Sequence, residues 1–342
     1  MIKYIARKLV LAIPLVIGVV TLIFFLIEAS PGNVADKFFN SETPPEVREM
    51  IVAKYGLDQP AMVRYVLMLK NLVFMDFGVS MATGKPVFEL VADALPNTLI
   101  LSAVTLAIIY PVGIVLGSIQ ATRQNSFTDT GISVGSLFLY SMPGFWLAMM
   151  LQLNISYHFS MWIEGMAAAG TISDTLGAIL SIPGSGMYDA IQYDYMSPSE
   201  QFLNRCKHLL LPGLAMAVAS AAGTARYMRS SLLEVIRQDY VRTARAKGLL
   251  ERQVLVKHGM RNAMLPIVTL FGLSIPFLFS GSVLIEMIFA WPGMGRLIVN
   301  AIYAQDTPLI IACFFVSTLL VVAGNLVADV TYAIVDPRIT YD

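Results

Sequence analysis

The sequence predicts an all-α membrane protein with six transmembrane helices and both termini on the cytoplasmic side. Three observations carry that expectation. Hydrophobic residues make up 56% of the 342 and charged residues 13%, with a mean hydropathy of +0.69, outside the range of a soluble globular chain. Several apolar stretches reach the roughly 20 residues needed to cross a hydrocarbon core about 30 Å thick at about 1.5 Å per residue. Lys and Arg gather in the segments that six crossings leave on one side, and that bias sets orientation.

The first span is Leu9 to Ile27. Lys3, Arg7 and Lys8 precede it, as basic residues also precede a secretory signal. The apolar stretch is too long for a signal core and has no small-x-small cleavage site in the expected place, so residues 1–29 read as a cytoplasmic leader and a span. Ser30, Pro31, Gly32 and Asn33 turn the chain into a mixed-charge extracytoplasmic segment, 30–94. Within it Pro44 and Pro45 open a helix that Gly56 closes. A second helix follows Pro60, because Met62, Val63, Val66, Leu67, Leu69 and Leu72 recur at helical spacing.

The second span runs from Asn97 to Ile119, with Arg123 on the cytoplasmic side, and a polar loop with Asn125, Ser126 and Asp129 leads to the third, Ile132 to Ile155. Pro143 and Gly144 lie inside that third span. A kink facing a translocation path and ordinary bundle packing both accommodate them. Residues 158–207 form an extracytoplasmic insertion rich in Gly, Ser, Asp and Tyr, whose longest apolar stretch, Leu176 to Ile182, is too short to cross. The fourth span, Leu209 to Ala225, is dense in Ala and Gly, which predicts close approach to a neighbouring helix. A cytoplasmic segment, 226–264, separates it from the fifth span, Leu265 to Ile288, which holds Pro266 and Pro276. An interfacial stretch with Trp291, Pro292, Gly293 and Gly295 precedes the sixth span, Leu309 to Ala333, and Asp336, Pro337 and Arg338 follow in the cytoplasm.

Ion-driven transporters keep titratable groups at mid-membrane. Here Glu28, Glu286 and Asp329 fall at or near predicted span ends and read as markers of the interfaces. No zincin helix, nucleophile elbow or phosphate-cradling glycine loop occurs, so no catalytic residue is assigned, and neither an intramembrane enzyme nor a self-contained ATPase is expected. Cys206 and Cys313 are the two cysteines and read as structural, the three histidines are scattered, and no metal site is expected. The 19 methionines read as apolar packing.

The informative stretch is the cytoplasmic segment 226–264. Ser231 and Glu234 have the spacing of a capping box, and equally suit a continuation of the fourth span. Leu232, Leu233, Val235, Ile236, Tyr240, Val241 and Ala244 supply an apolar face and Arg237, Arg242, Arg245 and Lys247 a basic one, with Gly248 placed to end the helix. A basic amphipathic helix beside a membrane also suits a helix lying on anionic headgroups.

The residues themselves add more. Asp239 to Leu249, followed by His258 to Ala263 and Pro266, closely resemble the cytoplasmic coupling loop of dipeptide and oligopeptide ATP-binding cassette importer permeases. The resemblance covers nearly the whole chain. It takes in Ser30-Pro31-Gly32, Tyr55 to Asp58, Asp76-Phe77-Gly78 with Ser80, and Ser141-Met142-Pro143. Further matches are His208 to Pro212, Glu286 with Trp291 to Arg296, and Asp336 to Ile339. In the wider superfamily the loop opens Glu-Ala-Ala; Arg242, Thr243 and Ala244 stand there here, a departure that resembles the usual variant of the peptide branch.

That resemblance implies the transmembrane domain of a type I ATP-binding cassette importer, with residues 95–342 as the permease core. It implies a non-catalytic subunit that forms half of a pathway for di- or oligopeptides. Its partners would be a second homologous permease, two ATPase subunits and an extracytoplasmic substrate-binding protein, within the lipid bilayer of a bacterial inner membrane and without nucleic acid. ATP and magnesium would be bound by the ATPases and no cofactor by this chain. The residues implied to meet an ATPase are Tyr240, Arg242, Thr243, Ala244, Arg245, Lys247 and Gly248. A secondary transporter and a membrane scaffold are the alternatives, and no residue identifies the cargo.

Overall fold

The structure, a computed structural model, describes residues 2–30, 56, 58–280 and 283–335. The helix expected after Pro44 and the stretch Asp336 to Ile339 lie outside the described residues. In chain order the helices are α1 (Ile2–Glu28), α2 (Ala61–Val73), α3 (Val87–Thr122) and α4 (Phe127–Ser141). Next, α5 (Gly144–Leu151) runs through a π-wound stretch, Gln152–Phe159, into α6 (Ser160–Ala168), followed by α7 (Asp174–Leu180). The second half holds α8 (Pro198–Ile236), α9 (Asp239–Ala246), α10 (Leu265–Ser280), α11 (Val283–Ile288), α12 (Met294–Ala304) and α13 (Thr307–Val335). Between α9 and α10 the chain is helical from 251 to 263, π-wound over Val254–Met260. The described residues contain no strand, only an isolated bridge between Val79 and Pro86.

Four helices among the described residues are long and apolar enough to cross a membrane singly: 24 residues of α1 (Ile5–Glu28), all of α3 and α8, and 23 residues of α13 (Thr307–Asp329). The expected third span is broken. α4 and the α5–α6 run bend by 101°, because Met142 turns extended, with ψ 132°, ahead of Pro143, which disfavours the helical conformation in the residue before it. The expected fifth span, Leu265 to Ile288, is represented by α10 and α11, and residues 281 and 282 lie outside the described residues.

The fourth span also outgrows its expected bounds. Its start at Pro198 is set by a capping box, in which Ser197 N donates to Glu200 Oε2 at 2.8 Å, and it continues to Ile236, beyond Ala225. Ser231 and Glu234 therefore sit within α8, as the continuation reading required.

α3 packs along α8, and small residues permit it. A Cβ on Gly113 would lie 2.6 Å from Thr224 Cβ; one on Gly117 would lie 2.7 Å from Met228 Cβ and press on the Ala225 carbonyl oxygen. Facing them, Ala217, Ala221 and Ala225 of α8 are buried. This is the close approach that the alanine-rich span predicted.

At the other end of α3 a buried polar knot joins it to α11 and α12. Glu286 is fully buried. Its carboxylate accepts from Thr98 Oγ1 at 2.8 Å and from Arg296 N at 3.0 Å, while Thr98 Oγ1 accepts from Met294 N at 2.8 Å. Two otherwise orphaned amides at the α12 N-terminus are thus satisfied by groups from α11 and α3. The indole of Trp291 donates to Asn97 O at 3.0 Å. Glycine at 293 is a steric requirement, since a Cβ there would be 2.6 Å from Glu286 Cδ. Glu286 is thus a buried cap for a helix that the sequence reading did not foresee, whereas Glu28 and Asp329 form ion pairs with Arg64 and Lys8. Asp306, also buried, accepts from Ser80 Oγ and from Ala82 N, tying the loop between α2 and α3 to the start of α13.

Candidate functional site

The segment between α8 and α10 is built as two helices joined by a turn. Arg237 ends α8, and Gln238 is extended (φ −71°, ψ 149°) before α9 begins. The apolar face predicted as one surface is therefore split: Leu232, Leu233, Val235 and Ile236 belong to α8, and Tyr240, Val241 and Ala244 to α9. An eight-residue helix is far below the length of about 12–15 residues at which isolated helices become marginally stable, so tertiary contacts must hold α9. Val241 and Ala244 are buried against Val254, with Val235 alongside. Tyr240 Oη accepts from Asn262 Nδ2 at 2.6 Å, which pins the helix to the end of the helical stretch 251–263.

Gly248 ends α9 as expected. Its φ is +77°, a left-handed conformation that costs other L-residues about 1–2 kcal/mol, and its amide donates to Arg245 O at 2.9 Å. The turn is braced by a two-pronged pair in which Arg245 Nε and Nη2 donate to Glu251 at 3.1 and 2.8 Å. The Arg245 guanidinium holds the Glu251 carboxyl below the usual glutamate range.

Of the seven residues singled out in the sequence, Ala244 is buried as an anchor, and Tyr240, Arg242, Thr243, Arg245, Lys247 and Gly248 are exposed. The structure adds Leu250, 70% exposed at the tip of the turn. An apolar residue among charged ones in a short loop was its only trace in the sequence. Behind the loop, Ser231 Oγ donates to Ala263 O at 3.0 Å, and Met228 and Leu232 of α8 pack with Ala263, Ile267 and Ala121. The loop is therefore seated on the C-terminal end of a 39-residue helix. Among the described residues no group of His, Cys, Asp or Glu is arranged to hold a metal ion.

The helical membrane bundle thus carries a stiffened loop that is basic on its outer face and apolar at its tip. The chain belongs to the family described as binding-protein-dependent transport system inner membrane component, which it matches over residues 113–341, and residues 1–102 match the N-terminal region of such components. It is similar to the oligopeptide transport system permease protein AppB of Bacillus subtilis strain 168, 39% identical over the full length of both chains. It is also 36% identical to the dipeptide transport system permease protein DppB of Alkalihalophilus pseudofirmus over all of both chains, and 33% identical to DppB of Escherichia coli K12 over 100% of this chain and 99% of that one. The fold is that of a type I ATP-binding cassette importer transmembrane subunit, and the function is that of an importer permease.

Proposed function

We propose that this chain forms half of a peptide translocation pathway and that α9 with the turn 247–250 is the surface through which separate ATPase subunits drive it. The observation that carries this reading is the seating of α9: a short helix fastened from behind by Val241, Ala244 and Tyr240 presents Arg242, Arg245, Lys247 and Leu250 outward. Such an element transmits a push because it cannot slide on its support. In this reading ATP and magnesium belong to the partner subunits and this chain is the driven part. A second permease completes the pathway, and an extracytoplasmic binding protein delivers cargo to the segments 30–94 and 158–207. Peptide cargo is supported by the full-length relatives, which are oligopeptide and dipeptide transport system permease proteins. The setting is a bacterial inner membrane with both termini in the cytoplasm, and 95–342 is the permease core. Closure of the ATPases would displace α9 and α8 together, a rigid-body change between two states.

Substitution at Gly248 tests the coupling role. No atom lies within 4 Å of a Cβ built there, so the penalty is one of backbone conformation and not of space. In the reconstituted complex Gly248→Val is expected to lower ATP-driven uptake roughly ten-fold, since about 1–2 kcal/mol opposes the native turn, while Gly248→Asn, which tolerates the left-handed region, loses less. Unchanged assembly, ATPase activity and uptake in Gly248→Val would remove Gly248 from the coupling surface.

The brace gives a pH signature. Glu251 has a depressed folded pKa, so its contribution is complete above its unfolded value, about 4.3, and is lost as pH falls through the folded value. Amide protection at 247–250 is expected to hold from pH 7 to about 5 and to fall in more acid solution. An exposed pair of this kind is worth roughly 0.2–1 kcal/mol, so the change is at most about five-fold. Hydrogen exchange corrected for intrinsic rates reads it, and Glu251→Gln should abolish the pH dependence.

A further inference from the structure

The cytoplasmic end of α8 is attached to several neighbours within six residues, 226–231. Ser231 holds the exit of the loop through Ala263 O, and Met228 meets α3 where Gly117 lies. Between them Arg229 reaches α4. Its Nε donates to Asp129 Oδ1 at 2.9 Å and its Nη2 to Asp129 Oδ2 at 2.8 Å. One turn earlier, the Arg226 guanidinium lies 5.9 Å from the centre of the Tyr140 ring.

These two arginines grip α4 at both ends. Asp129 is in its first turn and Tyr140 is its penultimate residue. Asp129 is further oriented by Asn125 N at 3.0 Å, and Gln120 of α3 donates to Ser133 Oγ at 2.8 Å beside it. The rest of α4 is loosely held: Asp129 is its single buried residue, and Val134, Leu137 and Phe138 are more than half exposed. Directly after α4 comes the 101° break at Met142 and Pro143.

A half-buried ion pair is a poor way to gain stability, because desolvation of the carboxylate offsets part of the attraction. What a two-pronged arginine–carboxylate pair adds is a single orientation and register. We propose that Asp129 and Arg229 are positioning residues that lock α4 to α8, so that displacement of the loop carries α4 along and is taken up at the Met142–Pro143 break. The α4–α8 unit then moves as one body, and α5 changes its angle to it. This rests on the proposed function, in which the loop is the driven element.

The test uses the complete complex in liposomes, with its ATPases and binding protein, and reads assembly, ATP hydrolysis and peptide uptake separately. Asp129→Asn and Arg229→Met are expected to assemble and to hydrolyse ATP within two-fold of wild type, yet to move at least ten-fold less peptide per ATP. The exchanged pair, Asp129→Arg with Arg229→Asp, should recover most of that ratio. A wild-type ratio in both single variants overturns the link, as does loss of assembly in them that the exchange leaves unrepaired. A second readout is independent of transport. The distance distribution between spin labels at Val134 on α4 and Leu203 on α8, both exposed, should broaden in Asp129→Asn. If wild type shows no ATP-driven uptake, the proposed function fails; an unchanged label distribution in Asp129→Asn defeats the link itself.

Discussion

Replacing Gly117 with leucine is expected to remove nearly all folded permease from the membrane, whereas Gly135→Leu should leave its amount unchanged. Both residues are glycines in apolar helices, so composition does not separate them. At Gly117 a Cβ would lie 2.7 Å from Met228 Cβ and 3.0 Å from Arg229 N, and would press on the Ala225 carbonyl oxygen. Two of those three atoms are backbone and cannot swing aside. The α3 and α8 helices would have to separate along the contact that also seats Arg229 and the loop. Overpacking a core costs about 1–3 kcal/mol even where side chains can adjust, and total stabilities are only about 5–15 kcal/mol. Since 1–2 kcal/mol already changes cellular abundance several-fold, a fall of roughly ten-fold or more is expected. At Gly135 nothing lies within 4 Å of the added carbon. Quantifying detergent-extracted, monodisperse protein for the two variants and for Gly117→Ala, expected between them, checks the ordering. Equal yields would mean that α3 and α8 do not meet at Gly117.

The second large effect is expected at Val241, and it should separate folding from coupling. Val241 is fully buried between α9 and the helical stretch after the turn, in contact with Ala244, Val254 and Val235. Val241→Asp would place an unpaired carboxylate in that dry contact at a cost of several kcal/mol. With so short a helix the lower-energy outcome is undocking of α9. The bundle should survive, because Met228, Leu232, Ala263 and Ile267 form a separate cluster nearer the membrane. The variant is therefore expected to accumulate normally and to lose uptake about ten-fold or more, the change corresponding to a loss of roughly 1.4 kcal/mol or more of coupling. Arg242→Ala is the matched variant. Its side chain is 70% exposed, so α9 stays docked and any loss of uptake reports the proposed contact with the ATPase alone. Hydrogen exchange over 239–246 distinguishes the two: it should rise in Val241→Asp and stay unchanged in Arg242→Ala.

How far these residues can be read from the sequence differs from one to the next. Gly248 is legible, because a glycine just past an amphipathic run ends a helix by its own backbone freedom, and the structure places it at φ +77°. The alanines of the fourth span are legible for a similar local reason, since small side chains have few uses in a membrane helix other than close contact. Ser197 and Glu200 are a local signal that the apolar bounds pass over, and they carry the start of α8 eleven residues before the apolar stretch begins at Leu209. Glu286 was not legible. Three acidic residues near span ends look alike in sequence, yet one is a buried cap and two are ion pairs.

The sequence by itself determined the solvent of this protein, the order of its apolar segments, the position of the glycine stop and the family. Those follow from hydropathy, from local backbone preferences and from short motifs, which neighbouring residues settle among themselves. Only the tertiary structure decided that the third span breaks by 101°, that the loop is two helices and not one, and that Arg229 meets Asp129. Burial and pairing depend on which distant segments come together, and the two members of that pair stand 100 residues apart in the chain.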